Sequence, residues 1–147
     1  MLLHSTEKPP EKPWAFLWYL TDSGRNNLLK WDTGLPTKAK VNRNTAMKYL
    51  RVQPLSRWSR PEASPLGNGL YVIHFKDKNS TAHRLCGFID HEHHAFVICV
   101  TIIEKDGKYN PDDYEARTLT AKRKVQGDFN KHTAACTWGT VRGEWPA

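Results

Sequence analysis

The sequence predicts an α+β fold, a compact single domain in which a strand, two helices, a three-strand meander and a closing helix are organised on an antiparallel sheet. Three observations carry the prediction. Between Leu66 and Lys108 the chain reads LGNGLYVIHF, TAHRLCGFID and AFVICVTIIEKDGK, three strand-like runs separated by short polar segments of hairpin type. Two helical stretches precede them, and a cap, a proline and first-turn acids follow. At 147 residues and 39% hydrophobic composition, the chain suits one moderate core and would be cramped as two domains.

In chain order, residues 1–13 mix prolines with charges of both signs and read as a mobile tail. Residues 14–20, WAFLWYL, are continuously apolar and too short for a stable helix, which suits a strand buried on both faces. Asp22 and Ser23 are cap types ahead of a short helix over 25–31, which the Gly34 and Pro36 breakers close. A second helix is expected over 37–52, burying Ala39, Val41, Ala46, Met47, Tyr49 and Leu50 and stopping before Pro54. Residues 53–65, rich in proline and serine, read as a loop with a basic, aromatic tip at Arg57-Trp58-Ser59-Arg60. Trp58 there either anchors the loop to the body, the commoner use, or stacks on bases. A third helix opens at Asn110-Pro111-Asp112-Asp113 and ends at Gly127, with Lys122, Arg123 and Lys124 complementing its dipole. Residues 131–147 form an extension, either an edge strand around 136–141 or disordered chain.

The formal charge of +7 favours a polyanionic partner such as RNA, DNA or an anionic membrane surface, although the same charge also serves solubility. Three cysteines without metal-type spacing argue against a secreted disulfide framework. No run approaches the roughly 18 apolar residues of a membrane span, and MLLHSTEKPPEKP lacks an apolar run of signal-peptide length. A cytoplasmic protein with no membrane partner is expected. Nucleotide loops, nucleophile elbows and paired-acid motifs are absent from the sequence.

Register arithmetic assigns faces to the meander. A four-residue turn over 91–94 sets Asp90 opposite Ala95, Leu85 opposite Val100, Arg84 opposite Thr101 and Cys86 opposite Cys99. A four-residue first turn would set His74 opposite His83, but a five-residue turn over 77–81, which sets His74 opposite Arg84, is the register that brings the apolar residues of all three strands to one side. Tyr71, Ile73, Phe75, Leu85, Ile89, Phe96, Ile98, Val100 and Ile102 then share an apolar face for the helices. The other face carries His74, Arg84, Thr101 and Lys105, with Lys76 and Lys108 at its margin. Cations of this kind stabilise charge on a phosphoryl transition state, and an imidazole moves protons. A solvated face that merely keeps the protein soluble is the competing explanation.

LGNGLYVIHF, His83-Arg84-Leu85, an apolar strand ending in lysine, a proline opening a helix, and Ala121-Lys122-Arg123 within it resemble the RelE/HigB toxin superfamily, in its branch related to phage-derived proteins. The resemblance covers residues 14–130 in element order, with motif matches between 66 and 125. It implies a RelE-like fold and the toxin of a type II toxin–antitoxin system. Such a toxin is a metal-independent endoribonuclease that needs no cofactor and cleaves mRNA on the ribosome. Its cognate antitoxin commonly carries a helix-turn-helix. By position, Arg84 would hold the scissile phosphate, His74 stands where the family commonly has arginine, and Lys105 falls in the lysine-rich segment after the last strand. The implied catalytic set is His74, Arg84 and Lys105, with Lys76, His83, Thr101 and Lys108 as phosphate contacts. His83 replaces the family's usual aromatic, Val72 replaces an acid, and the lysine segment is diluted to EKDGK. Two alternatives stay open: a non-catalytic RNA or ribosome binder, and a phage-type regulator that binds proteins.

His91-Glu92-His93-His94 gathers metal-type side chains, but a hairpin tip controls their geometry poorly and solvation is the expected role. Cys86 and Cys99 are expected as small core residues, able to form a cross-strand disulfide only if oxidised.

Overall fold

The computed structural model describes residues 12–136. Strand β1 (Ala15–Tyr19) leads into helices α1 (Asn27–Thr33) and α2 (Thr37–Leu50), followed by β2 (Ala63–Gly67), β3 (Leu70–Lys76), β4 (Ala82–Asp90), β5 (Ala95–Lys105) and β6 (Lys108–Asn110). Helices α3 (Tyr114–Gly127) and α4 (Phe129–His132) and strand β7 (Thr133–Ala135) complete the order. The strands form one open sheet, β2-β3-β4-β5-β1-β7, with β6 also paired to β5. Every neighbouring pair is antiparallel except β1 and β5, which run parallel. The expected antiparallel sheet is therefore mixed at its centre. The helices and strands between β1 and β5 make a crossover long enough for a parallel return.

The α1 start lies beyond the expected caps: Asn26 accepts a hydrogen bond from the Leu29 amide at 2.9 Å. Helix α2 begins as expected, but Val41 and Tyr49, assigned to its buried side, are exposed. Arg43 on α2 pairs with Asp32 on α1 inside the protein. Burial lowers its pKa to about 10, so it stays a cation at neutral pH. The expected 53–65 loop holds a 3-10 turn at Leu55–Arg57 and, from Ala63, the edge strand β2. Trp58 anchors it: the ring is buried and its indole N–H donates to the Leu50 carbonyl at 3.0 Å.

The meander registers His74 with Arg84, and Asp90 with Ala95, as the turn lengths predict. One shift breaks the arithmetic. Between Cys86 and Gly87 the β4–β5 pairing changes, so Gly87 faces Ile98 but Cys86 faces Val100. Cys99 is the extra residue of a bulge. Arg84 therefore opposes Ile102, not Thr101, and Cys86 does not oppose Cys99. All three described cysteines are free and buried.

The bulge also redistributes the core. Tyr71, Ile73, Phe75, Leu85, Ile89, Phe96 and Ile98 share the first core with α1, α2, Trp18 and Trp58, as expected. Val100 and Ile102 do not: they join Val72, Cys86, Phe88 and Val97 in a second core, together with Ala121 and Val125 of α3. Both faces of the sheet are thus covered, where one open cationic face was expected. Strand β1 serves both, with Phe16 and Trp18 in the first core and Leu17 and Tyr19 packed on the second.

Helix α3 starts at Tyr114, a few residues later than expected, and ends at Gly127. A short edge strand lies at Thr133–Ala135, paired with β1, just ahead of the 136–141 stretch where one was expected. Residues 137–141 and 1–11 of the expected tail lie outside the described residues. Among the described residues no helix is long and apolar enough to cross a membrane.

Candidate functional site

A chain of polar contacts crosses four strands on the sheet face that carries the second core. Ser64 on β2, His74 on β3, Arg84 on β4 and Glu104 on β5 are its members. Arg84 is 7% exposed. One terminal nitrogen of its guanidinium donates to His74 Nδ1, and the other to Glu104 Oε1. A guanidinium cannot accept, so Nδ1 must, and the imidazole proton lies on Nε2. Nε2 then donates to Ser64 Oγ at 2.7 Å. The Tyr109 ring, with its centroid 5.0 Å from Arg84 Cζ, covers the guanidinium, and Tyr114 packs beside Tyr109. Arg84 Nε is buried with no hydrogen-bond partner. His74 also borders a 390 Å³ groove between α2 and the Pro61-Glu62 segment.

The side chains expected around Arg84 divide between the faces. Lys76 shares the His74 face by strand alternation and is exposed, while its carbonyl accepts from Asn42. His83 points to the first core, stacks on Phe75 at 5.3 Å and contacts Asp77 at 3.2 Å. Burial of Asp77 pushes its carboxyl upward, but hydrogen bonds from His83 and from the Thr81 and Asn79 amides outweigh that and leave it below the usual range. Thr101 also falls on the face opposite Arg84, because Leu85 is its register partner. Lys105 alternates with Glu104 and so points away from Arg84, opposite Lys108 across the β5–β6 turn. Both lysines are exposed.

Glu104, Ser64 and Tyr109 were not legible as site residues. The bulge hid Glu104, since an uninterrupted register places residues 101, 103 and 105 on the Arg84 face. Gly87 was the available signal, because glycine inside a strand often marks such a break.

Compared with protein-family models, curated proteins and solved structures, the chain matches none. The chemistry of the row therefore rests on its own geometry. A carboxylate, a guanidinium and an imidazole joined in one line can accept a proton, neutralise an oxyanion and return a proton.

The imidazoles of the 91–94 turn are used for packing. His93 stacks on Phe129 at 3.5 Å and meets Asp90 at 3.2 Å, and His94 stacks on Trp14 at 3.8 Å while its Nε2–H donates to the Lys12 carbonyl. Among the described residues, no group of three or more His, Cys, Asp or Glu side chains could hold a metal.

Proposed function

We propose that the protein is an endoribonuclease toxin of the RelE/HigB kind, cleaving mRNA in association with the ribosome without a metal and neutralised by a cognate antitoxin. The observation that carries this reading is the Arg84 guanidinium held between His74 and Glu104. In the proposed reaction the scissile phosphate displaces Glu104 and His74 from Arg84. The freed Glu104 carboxylate takes the proton of the RNA 2′-hydroxyl, and the 2′-oxygen attacks the adjacent phosphorus. Arg84 neutralises the charge that builds on the phosphoryl oxygens. Release of Nδ1 lets His74 take up a proton, and the imidazolium returns one to the departing 5′-oxygen. The products are a 2′,3′-cyclic phosphate and a 5′-hydroxyl.

A second reading, a non-catalytic RNA or ribosome binder, draws on the burial of Arg84 beneath Tyr109. Induced expression in a bacterial host, followed by mapping of mRNA ends and a purified assay with ribosomes, separates the two. The toxin reading expects growth arrest and cleavage that fall about 100-fold or more in Glu104→Gln and Arg84→Ala. Salt-sensitive RNA binding without cleavage supports the binder instead. Full cleavage by both variants, with folding verified by circular dichroism, overturns the site.

A further inference from the structure

A cavity of 630 Å³ lies between the end of β1, the start of α1, β5 and α3. The sheet itself opens there. On one side β4 pairs with β5 along its length, but on the other β1 pairs only with Ala95–Ile98 and β6 only with Ile103–Lys105. No strand pairs with Cys99–Ile102 on that side among the described residues. Alternate residues of an antiparallel strand present both backbone groups to the same neighbour. The two-residue Asp106-Gly107 turn makes Lys105 and Lys108 its closing hydrogen-bonded pair, so Lys105 and Ile103 face β6. By the same alternation the Thr101 N–H and C=O face the gap.

The chemistry of the lining narrows the ligand. Leu28, Val100 and Ala116 supply apolar walls, and Asn27, Thr101 and Thr120 supply uncharged donors and acceptors. The lining carboxylate, Asp113, is paired with Arg117 at 2.8 Å, and neither is buried. An ion would find no buried countercharge among these groups. A flat, neutral molecule with a hydrogen-bonding edge meets matching groups on a strand backbone and an amide side chain, with apolar surface against its faces. Along the chain the cleft residues neighbour the polar row: Ile102, next to Thr101, is the register partner of Arg84, and Pro111 on the cleft wall follows the strand that carries Tyr109 over Arg84.

We propose that this cleft is a nucleobase subsite. It receives an unpaired base of the RNA strand whose backbone passes Arg84, and the Thr101 backbone and the Asn27 amide read the base edge. The identity of the occupant rests on the RNA reading of the polar row, but base binding in the cleft does not require cleavage. The test titrates the four ribonucleoside 5′-monophosphates into 15N-labelled full-length protein, with and without Arg84→Ala, and repeats the titration in Ala116→Trp. Ala116 is exposed, so the tryptophan plugs the cleft without entering a core. The expected result is a preference among the four bases, with amide shifts at Thr101 and Asn27 that persist in Arg84→Ala and weaken about tenfold or more in Ala116→Trp. Absence of these shifts, or equal shifts in the plugged variant, overturns the subsite whether or not RNA is cleaved. A strand-forming peptide that perturbs Thr101 where no nucleotide does also overturns it. Nucleotide binding in the cleft of a protein that never cleaves RNA supports the subsite and counts against the cleavage reading alone.

Discussion

Arg84 is the residue on which stability and the proposed activity would compete. Its side chain is 9% exposed and that of Glu104 is 27% exposed, so the two ends of the ion pair are hydrated unequally. Removing Glu104 leaves a guanidinium that water reaches poorly, and Glu104→Ala should cost about 3 kcal/mol, the lower end of the range for breaking a buried pair. Arg84→Met should cost less, because the stem is replaced by an apolar chain and the carboxylate can turn toward solvent. Urea denaturation of both variants measures the order, and a larger loss in Arg84→Met would show that the Tyr109 and His74 contacts dominate. An RNase role makes the opposite demand, since Arg84→Met then abolishes activity while largely sparing the fold. At this scale the sequence was half legible. Turn length together with the matching of apolar faces placed His74 beside Arg84, whereas the partner that neutralises Arg84 was out of view because one extra residue in β5 turns Glu104 to the other face.

That extra residue belongs to the β4–β5 pair, and Gly87 makes the local geometry possible. A Cβ built at Gly87 falls against the Val97 carbonyl group, backbone that cannot yield as a flexible side chain would, and 2.8 Å from the Phe96 ring Cζ. Gly87→Ala should therefore destabilise by about 3 kcal/mol, at the upper end of overpacking costs. A chemical-denaturation midpoint close to wild type would mean that the strands separate freely here. The elements with long apolar patterns were legible: β1, the three meander strands, α2 and the end of α3. Strands β6 and β7, three residues each, were not, because pairing with a neighbour defines them more than composition does. Strand β2 was hidden by its own sequence, ASPLG, whose proline and glycine read as loop and are tolerated because β2 is an edge.

At the scale of the whole molecule, the two-sided sheet was the part that sequence concealed. Helix α3 buries only Thr118, Ala121 and Val125, side chains too small to announce a second core in a hydrophobicity pattern. The two cores together enclose the three described cysteines, Cys86 and Cys99 in the second and Cys136 in the first. Burial pushes the Cys86 thiol up to about 11, and it raises Cys99 and Cys136 well above the ordinary 9.0. These groups stay neutral in the folded protein but ionise in the unfolded chain once the pH passes 9.0. The unfolded state then binds fewer protons, so stability is fully present below pH 9.0 and is lost as the pH climbs toward the folded values, by about 1.4 kcal/mol per pH unit for each thiol. Tyr19 and Tyr114, whose hydroxyls burial also raises above 10.0, act in the same direction at higher pH. Urea denaturation at pH 8, 9 and 10 should show a midpoint that falls steeply across the last step. Cys86→Ala should lower the value at pH 8, because it leaves a small cavity beside Thr118, yet make the fall to pH 10 shallower. Equal slopes in the two proteins would mean that the thiols ionise as readily folded as unfolded, and that the second core is open to water.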